Sequence, residues 1–151
     1  ENNLYSVYSP LDVRQPKDRN IEQMVKSIGV NSLKSDGNDI RKVFYACKKA
    51  INYIRKNRSP FFLLFNNYRW REHCGPNYDN HIGYRTEKEF KKWKKHDPLL
   101  RSYDLLKKLK INKSIITKLE KKQTLVIDNA FKFAKKSKFP NKKELMKDIY
   151  K

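Results

Sequence analysis

The chain has 151 residues and carries 36 Lys and Arg against 16 Asp and Glu, a formal net charge of +20. That length suits one domain with a core of its own; no apolar run approaches the ~20 residues of a membrane span. Two cysteines do not make a disulfide framework, and they point to a reducing cytoplasm. The charge by itself suggests a polyanion partner, but its form argues otherwise. Lys88, Lys91, Lys92, Lys94 and Lys95 surround Trp93, and Lys107, Lys108 and Lys110 surround Leu109, the pattern of a solvated helix face. Lysine is preferred to arginine throughout, whereas base recognition favours arginine and sheet-borne aromatics. A basic nucleic-acid-binding module is therefore the alternative reading.

Glu1 to Tyr5 read as the end of a strand and its turn, so the chain reads as a piece of a longer protein. Ile21, Met24, Val25 and Ile28 follow helical spacing, with Asn20 and Gln23 as cap and capping-box partner and Gly29 as the stop. Val30 to Lys34 is extended and leads into the turn Asp36-Gly37-Asn38-Asp39. Ile40, Val43, Phe44, Cys47, Ile51 and Ile54 then draw an apolar helical stripe, which makes Cys47 a core residue. Ser59-Pro60 ends it, and Phe61-Phe62-Leu63-Leu64-Phe65 is an uninterrupted apolar run of strand length. Such a run predicts a strand buried on both faces, as in a parallel sheet, and the alternation of strands and helices predicts crossover units.

From residue 86 the pattern is all helical. Thr86 and Glu89 form a capping box for a helix through Phe90 and Trp93, and Asp97-Pro98 opens another. A long helix is predicted from about Ser114 to Lys136 with Ile115, Leu119, Val126, Ala130 and Phe133 inward. Asn141 and Glu144 cap a last short one.

Two stretches carry chemistry. Asn2-Asn3-Leu4-Tyr5 offers a carboxamide oxygen and free carbonyls just past a strand end, hard oxygen ligands suited to Mg²⁺ on a diphosphate. The carboxyl ends of strands are where open α/β sheets bind ligands. The second stretch is Tyr68-Arg69-Trp70-Arg71-Glu72-His73-Cys74-Gly75-Pro76-Asn77, closed by Gly83-Tyr84-Arg85. Arg69 and Arg71 alternate along an emerging strand, so one of them faces a common site. His73 can donate to a phosphate oxygen or a reacting group. Arg85 suits loop-organising ion pairs with Asp79 or Glu72. Cys74 beside His73 lacks a helix N-terminus or an orienting third group, so a nucleophile there is not favoured. His96, among lysines, is a surface residue.

Together, the double asparagine and the pattern Tyr-Arg-x-x-x-His followed by Gly-Tyr-Arg resemble one family. It is the alpha subunit of the thiamine diphosphate-dependent component of 2-oxo acid dehydrogenase complexes, and the chain resembles its C-terminal half. The likeness extends to Ser9-Pro10, Asp36-Gly37-Asn38-Asp39, Pro60, Asp97-Pro98, Phe133-Ala134, Phe139-Pro140 and Asp148-Ile149-Tyr150. It implies an α/β fold: part of the parallel sheet of a thiamine diphosphate-binding domain in residues 1–85, then an all-helical C-terminal extension in 86–151. It further implies thiamine diphosphate and Mg²⁺ as cofactors. Asn3 (side chain) and Tyr5 (backbone carbonyl) would be metal ligands, Arg69 and His73 would lie at the diphosphate, and His73 would be catalytic. The partners implied are a beta subunit in an alpha2beta2 assembly, a lipoyl-bearing acyltransferase and a 2-oxo acid, with neither membrane nor nucleic acid. An inactive structural fragment is the remaining alternative. Leu64 stands where the family often has glutamate and Asn67 where threonine usually precedes Tyr-Arg, which bears on the hydrogen bonding behind the strand. The serine that is controlled by phosphorylation in animal relatives is Cys74 here.

Overall fold

The computed structural model describes residues 1–150; Lys151, the last residue assigned to the extension, lies outside the described residues. The chain divides into two compact units, Glu1–Leu106 and Lys107–Lys151.

The first unit is built around two parallel strands, β3 (Asn31–Asp36) and β4 (Phe61–Asn66), paired in register from Asn31 with Phe61 to Asp36 with Asn66. They are joined through helix α3 (Ile40–Asn57), the strand–helix–strand unit expected from the alternation. On the far side of β4, Asn2 forms a parallel bridge with Asn66: its N–H donates to Phe65 O (2.7 Å) and its carbonyl accepts from Asn67 N (3.1 Å). Glu1 to Tyr5 is thus a strand end and its turn, as read. The small hairpin β1 (Tyr5–Ser6) and β2 (Ser9–Pro10), the single-turn helix α1 (Leu11–Arg14) and a 3₁₀ turn at Asn80–Ile82 went unpredicted. Val7 in the hairpin turn takes a left-handed φ of 55°, for which its sequence carries no glycine or asparagine signal.

Helix α2 (Ile21–Ser27) begins where Asn20 Oδ1 accepts from Gln23 N at 3.0 Å. Helix α3 begins at Asp39, whose carboxylate accepts from Arg41 N and Lys42 N. Its stripe needs correction. Ala46 and Ala50 are the buried positions, Val43 and Cys47 are half-buried, and Ile40, Phe44, Ile51 and Ile54 are exposed. Small side chains let the helix sit close to the sheet, and the larger ones lie around its outer side. The strand β4 is corrected similarly: Leu64 is buried, while Phe61, Phe62, Leu63 and Phe65 are half-covered.

Gly37 explains how β3 turns against β4. Its N–H donates to Asn66 O at 2.7 Å, and a Cβ there would stand 3.1 Å from that oxygen and from the Asn67 Cβ. Only a hydrogen fits without displacing the strand. Helices α4 (Glu87–Lys94) and α5 (Pro98–Lys108) follow. Thr86 Oγ1 accepts from Glu89 N (3.1 Å) and Asp97 Oδ1 from Leu99 N (2.9 Å), with Pro98 at the first helical position.

The change of sequence character at residue 86 and the division between the units at Leu106 are separate boundaries. Trp93 of α4 stacks on Tyr68 at 5.2 Å with 12° between the rings, and Trp70 and Phe90 complete that aromatic cluster. Helix α4, the first after residue 86, therefore belongs to the packing of the loop.

In the second unit, α6 runs from Lys113 to Lys136 and a 3₁₀ turn from Lys142 to Met146. Ile115, Leu119, Val126, Ala130 and Phe133, expected inward, are exposed. Among the described residues this unit holds no second long α-helix. No helix of the described residues is long and apolar enough to cross a membrane.

Candidate functional site

The loop between β4 and α4 is organised by its side chains more than by its backbone. The expected continuation of the strand through Arg69 and Arg71 does not form: β4 ends at Asn66 and the backbone becomes irregular. The two arginines still part. Arg71 Nη1 donates to Pro76 O at 2.9 Å, and its guanidinium lies 3.9 Å from the centre of the Tyr78 ring. Arg69 turns the other way: Nη2 donates to Val7 O (2.6 Å) and to Tyr84 Oη (2.9 Å), and Nε donates to Arg71 O (3.1 Å). Thus Arg69 ties the loop to the β1–β2 hairpin beside Asn3 and Tyr5.

Arg85 and Asp79 form the centre. Their side chains are 0 % and 1 % exposed, with Nη2 and Oδ1 2.5 Å apart. Asp79 Oδ2 accepts from Tyr84 Oη at 2.8 Å. Arg85 Nη1 donates to Arg69 O, and Nη2 donates to Trp70 O at 3.2 Å. One guanidinium therefore fixes two carbonyls at the loop's start and one carboxylate near its end, a fork that lysine does not offer. Of the two partners considered for Arg85, the structure selects Asp79. Glu72 instead accepts from Asn77 N (3.2 Å) and Asn77 Nδ2 (2.9 Å), folding the loop tip on itself.

At the tip, His73 and Cys74 are exposed, and no contact joins His73 to Asn3 or Tyr5 among the described residues. His96 is exposed as well, edge-on to Trp93 at 6.5 Å. Asn67 Oδ1 is buried without a partner, behind the strand where the family's threonine is replaced.

The amino-terminal turn is preorganised differently. Asn3 Oδ1 accepts from Tyr5 N at 3.0 Å, closing an Asx turn around Leu4 with φ 73°. Tyr5 Oη donates to Glu89 Oε1 at 2.5 Å, and its ring stands edge-on to Tyr84 (5.2 Å) and Tyr68 (6.2 Å). Asn3 and Tyr5 line a cleft of about 410 Å³ shared with Glu1, Ser6, Phe62 and Leu64. Burial raises the phenols, joined for Tyr5 and Tyr68 by the Glu89 charge and for Tyr84 by its bond to Asp79; Tyr68 is pushed up to about 12. All three remain protonated at physiological pH.

Among the described residues no three His, Cys, Asp or Glu side chains gather as a metal cluster. The donor set at the turn is of a different kind. A carboxamide oxygen already pointed by one N–H, with a lone pair to spare, and a neighbouring carbonyl are the hard ligands that Mg²⁺ accepts. As donor types they fit part of its octahedral shell.

One further residue escaped the sequence reading. Arg101 of α5 donates Nη1 to Asp36 Oδ2 and Asn38 O, and Nη2 to Asp39 Oδ2, each at 3.0 Å. It clamps the Asp36–Asp39 turn to α5. It is the only arginine after Arg85 in a lysine-rich sequence, and that preference for a fork was the available signal.

Residues 1–143 match the model of the family described as "Dehydrogenase E1 component". The chain belongs to this family. Its relatives include the "Pyruvate dehydrogenase E1 component subunit alpha" of Rickettsia felis, 26% identical over 99% of this chain and 45% of the relative. A chloroplastic "Pyruvate dehydrogenase E1 component subunit alpha-3" of Oryza sativa is 27% identical over 99% of this chain and 35% of its own length. The "2-oxoisovalerate dehydrogenase subunit alpha" of Bacillus subtilis is 32% identical over 66% of this chain and 29% of its own. The chain therefore spans less than half the length of these E1 relatives, and the family membership favours the enzyme over the nucleic-acid module.

Proposed function

We propose that this chain is the cofactor-gripping part of the alpha subunit of a thiamine diphosphate-dependent 2-oxo acid dehydrogenase, with pyruvate or a branched-chain 2-oxo acid as the substrate class. The observation that carries the reading is the joining of the double-asparagine turn to the Arg69 loop through Val7, Tyr5 and Tyr84, two motifs more than sixty residues apart. When bound, thiamine diphosphate would supply the nucleophilic carbon and the electron sink that decarboxylation of a 2-oxo acid and acyl transfer to a lipoyl arm require.

This chain's residues bind and orient. Asn3 Oδ1 and the Tyr5 carbonyl offer two oxygens to Mg²⁺, and the Asx turn fixes the first before any ligand arrives. Arg69 offers its guanidinium to a diphosphate oxygen while Nη2 holds the hairpin. His73, at the exposed tip, holds a proton on an imidazole nitrogen for a phosphate oxygen or for negative charge developing on the substrate. A beta subunit, in an alpha2beta2 assembly, and the lipoyl-bearing acyltransferase complete the system.

The test uses the full-length alpha subunit with its beta partner. Removing one preorganised donor of this kind costs on the order of 10²–10³ in rate. His73→Ala is expected to lower 2-oxo acid decarboxylation by that factor with an unchanged thermal midpoint, and His96→Ala is expected to change neither. Equal activities of the two variants would remove His73 from the site.

A further inference from the structure

We infer that Glu89 is a positioning residue for the two metal-facing oxygens; this deepens the functional reading above and rests on it. The turn that carries Asn3 and Tyr5 is weakly held by its own backbone. The strand β1 has two residues, with left-handed residues before and after it, Leu4 (φ 73°) and Val7 (φ 55°). Tyr5 nonetheless controls both oxygens. Its N–H points Asn3 Oδ1, and its carbonyl is the second oxygen of the reading above.

The side chain of Tyr5 is in turn anchored at its far end. Glu89 sits at the third position of α4, where a capping-box glutamate would reach back to the backbone N–H of Thr86. Thr86 makes its half of the box, accepting from Glu89 N. The Glu89 carboxylate turns away and accepts from Tyr5 Oη at 2.5 Å, across 84 residues of sequence. A hydrogen bond to a charged acceptor is stronger than a neutral one. The ring between hydroxyl and backbone is braced edge-on by Tyr84 and Tyr68, so it transmits position as a rigid lever. The sequence shows in Glu89 only a helix cap; the structure gives its carboxylate a second address.

Partners behind metal ligands typically govern 10–100-fold in metal affinity. The experiment is a calorimetric titration of Mg²⁺ into the full-length alpha subunit with its beta partner, at fixed thiamine diphosphate. Tyr5→Phe and Glu89→Ala are each expected to raise the Mg²⁺ half-saturation about tenfold. The double variant is expected to go no further than either single, because both remove one bond. Glu89→Gln, which keeps an oxygen for the phenol, is expected to recover most of the affinity, and Lys91→Ala is expected to match the unsubstituted enzyme. Unchanged half-saturation in Tyr5→Phe, or effects of the two single variants that add, would overturn the role of Glu89. Should Glu89→Ala fail to fold, Tyr5→Phe, which deletes one oxygen atom, decides alone. An unsubstituted enzyme whose cofactor binding ignores Mg²⁺ would overturn the functional reading itself, and this inference with it. A normal unsubstituted titration with unaltered variants removes only Glu89.

Discussion

Arg85 is enclosed, charged and shared among Asp79, Arg69 O and Trp70 O, so truncating it leaves the buried Asp79 carboxylate with the Tyr84 hydroxyl but no opposing charge. Breaking such a pair by removing one partner costs about 3–5 kcal/mol. Arg85→Ala is expected to lose that much in urea unfolding, and Asp79→Asn in the same background is expected to return part of it. The tyrosines set a pH limit of their own. Tyr68 is held up to about 12, above the ~10 of an unfolded phenol. A raised folded value means that the unfolded chain loses its proton first. This contribution is therefore complete below about pH 10 and is lost as the pH rises toward 12. Tyr5 and Tyr84 are shifted in the same direction. Ionisation of these three phenols, read as the difference from variants carrying Phe in their place, is expected to accompany loss of aromatic circular dichroism, whereas their titration within an intact fold would contradict the burial argument.

At the scale of elements, close approach matters more than burial of large side chains. Gly37→Ala would set a methyl 3.1 Å from Asn66 O and the Asn67 Cβ, atoms held in the sheet. Overpacking of that kind costs about 1–3 kcal/mol, and a thermal melt of the variant is expected to show it. A melt unchanged by the methyl would mean that β3 and β4 tolerate separation at that turn. The elements themselves were largely legible: α2, α3, α4 and α6 declare themselves by period and caps, and β4 by its apolar run. Their inward faces were less so. In α3 the alanines Ala46 and Ala50 face the sheet while Phe44 and Ile51 do not, because periodicity locates a stripe but not which side of it lies closest to a neighbour. The hairpin β1–β2 was missed because Leu4 and Val7 adopt left-handed backbone without the residues that announce it. In the candidate site, the motif residues Asn3, Tyr5, Arg69 and His73 were legible as types. The bonds from Tyr5 to Glu89 and from Arg101 to Asp36 span 84 and 65 residues, and no local pattern encodes such distances.

For the molecule as a whole, the charge of +20 sits mainly on exposed lysines, which act through counterion release rather than through recognition. Binding of the chain to duplex DNA is expected to be indifferent to sequence. Its logarithmic affinity is expected to fall linearly with the logarithm of salt concentration. Sequence-selective binding that persists at moderate salt would restore the nucleic-acid reading.

The placement of Arg85 has an evolutionary consequence. Its guanidinium holds Arg69 and Trp70 at one end of the loop and Asp79 at the other, while the tip closes upon itself between Glu72 and Asn77, whose N–H and carbonyl groups meet at 3.0 Å. Anchored ends and a self-contained tip are separable inheritances. An exposed tip position such as Cys74 is free to diverge or acquire a modifiable side chain without unsettling the scaffold, and lengthening a closed loop there costs little. Drift at the tip is then a cheap route by which descendants of one ancestor change regulation or substrate while keeping the same grip.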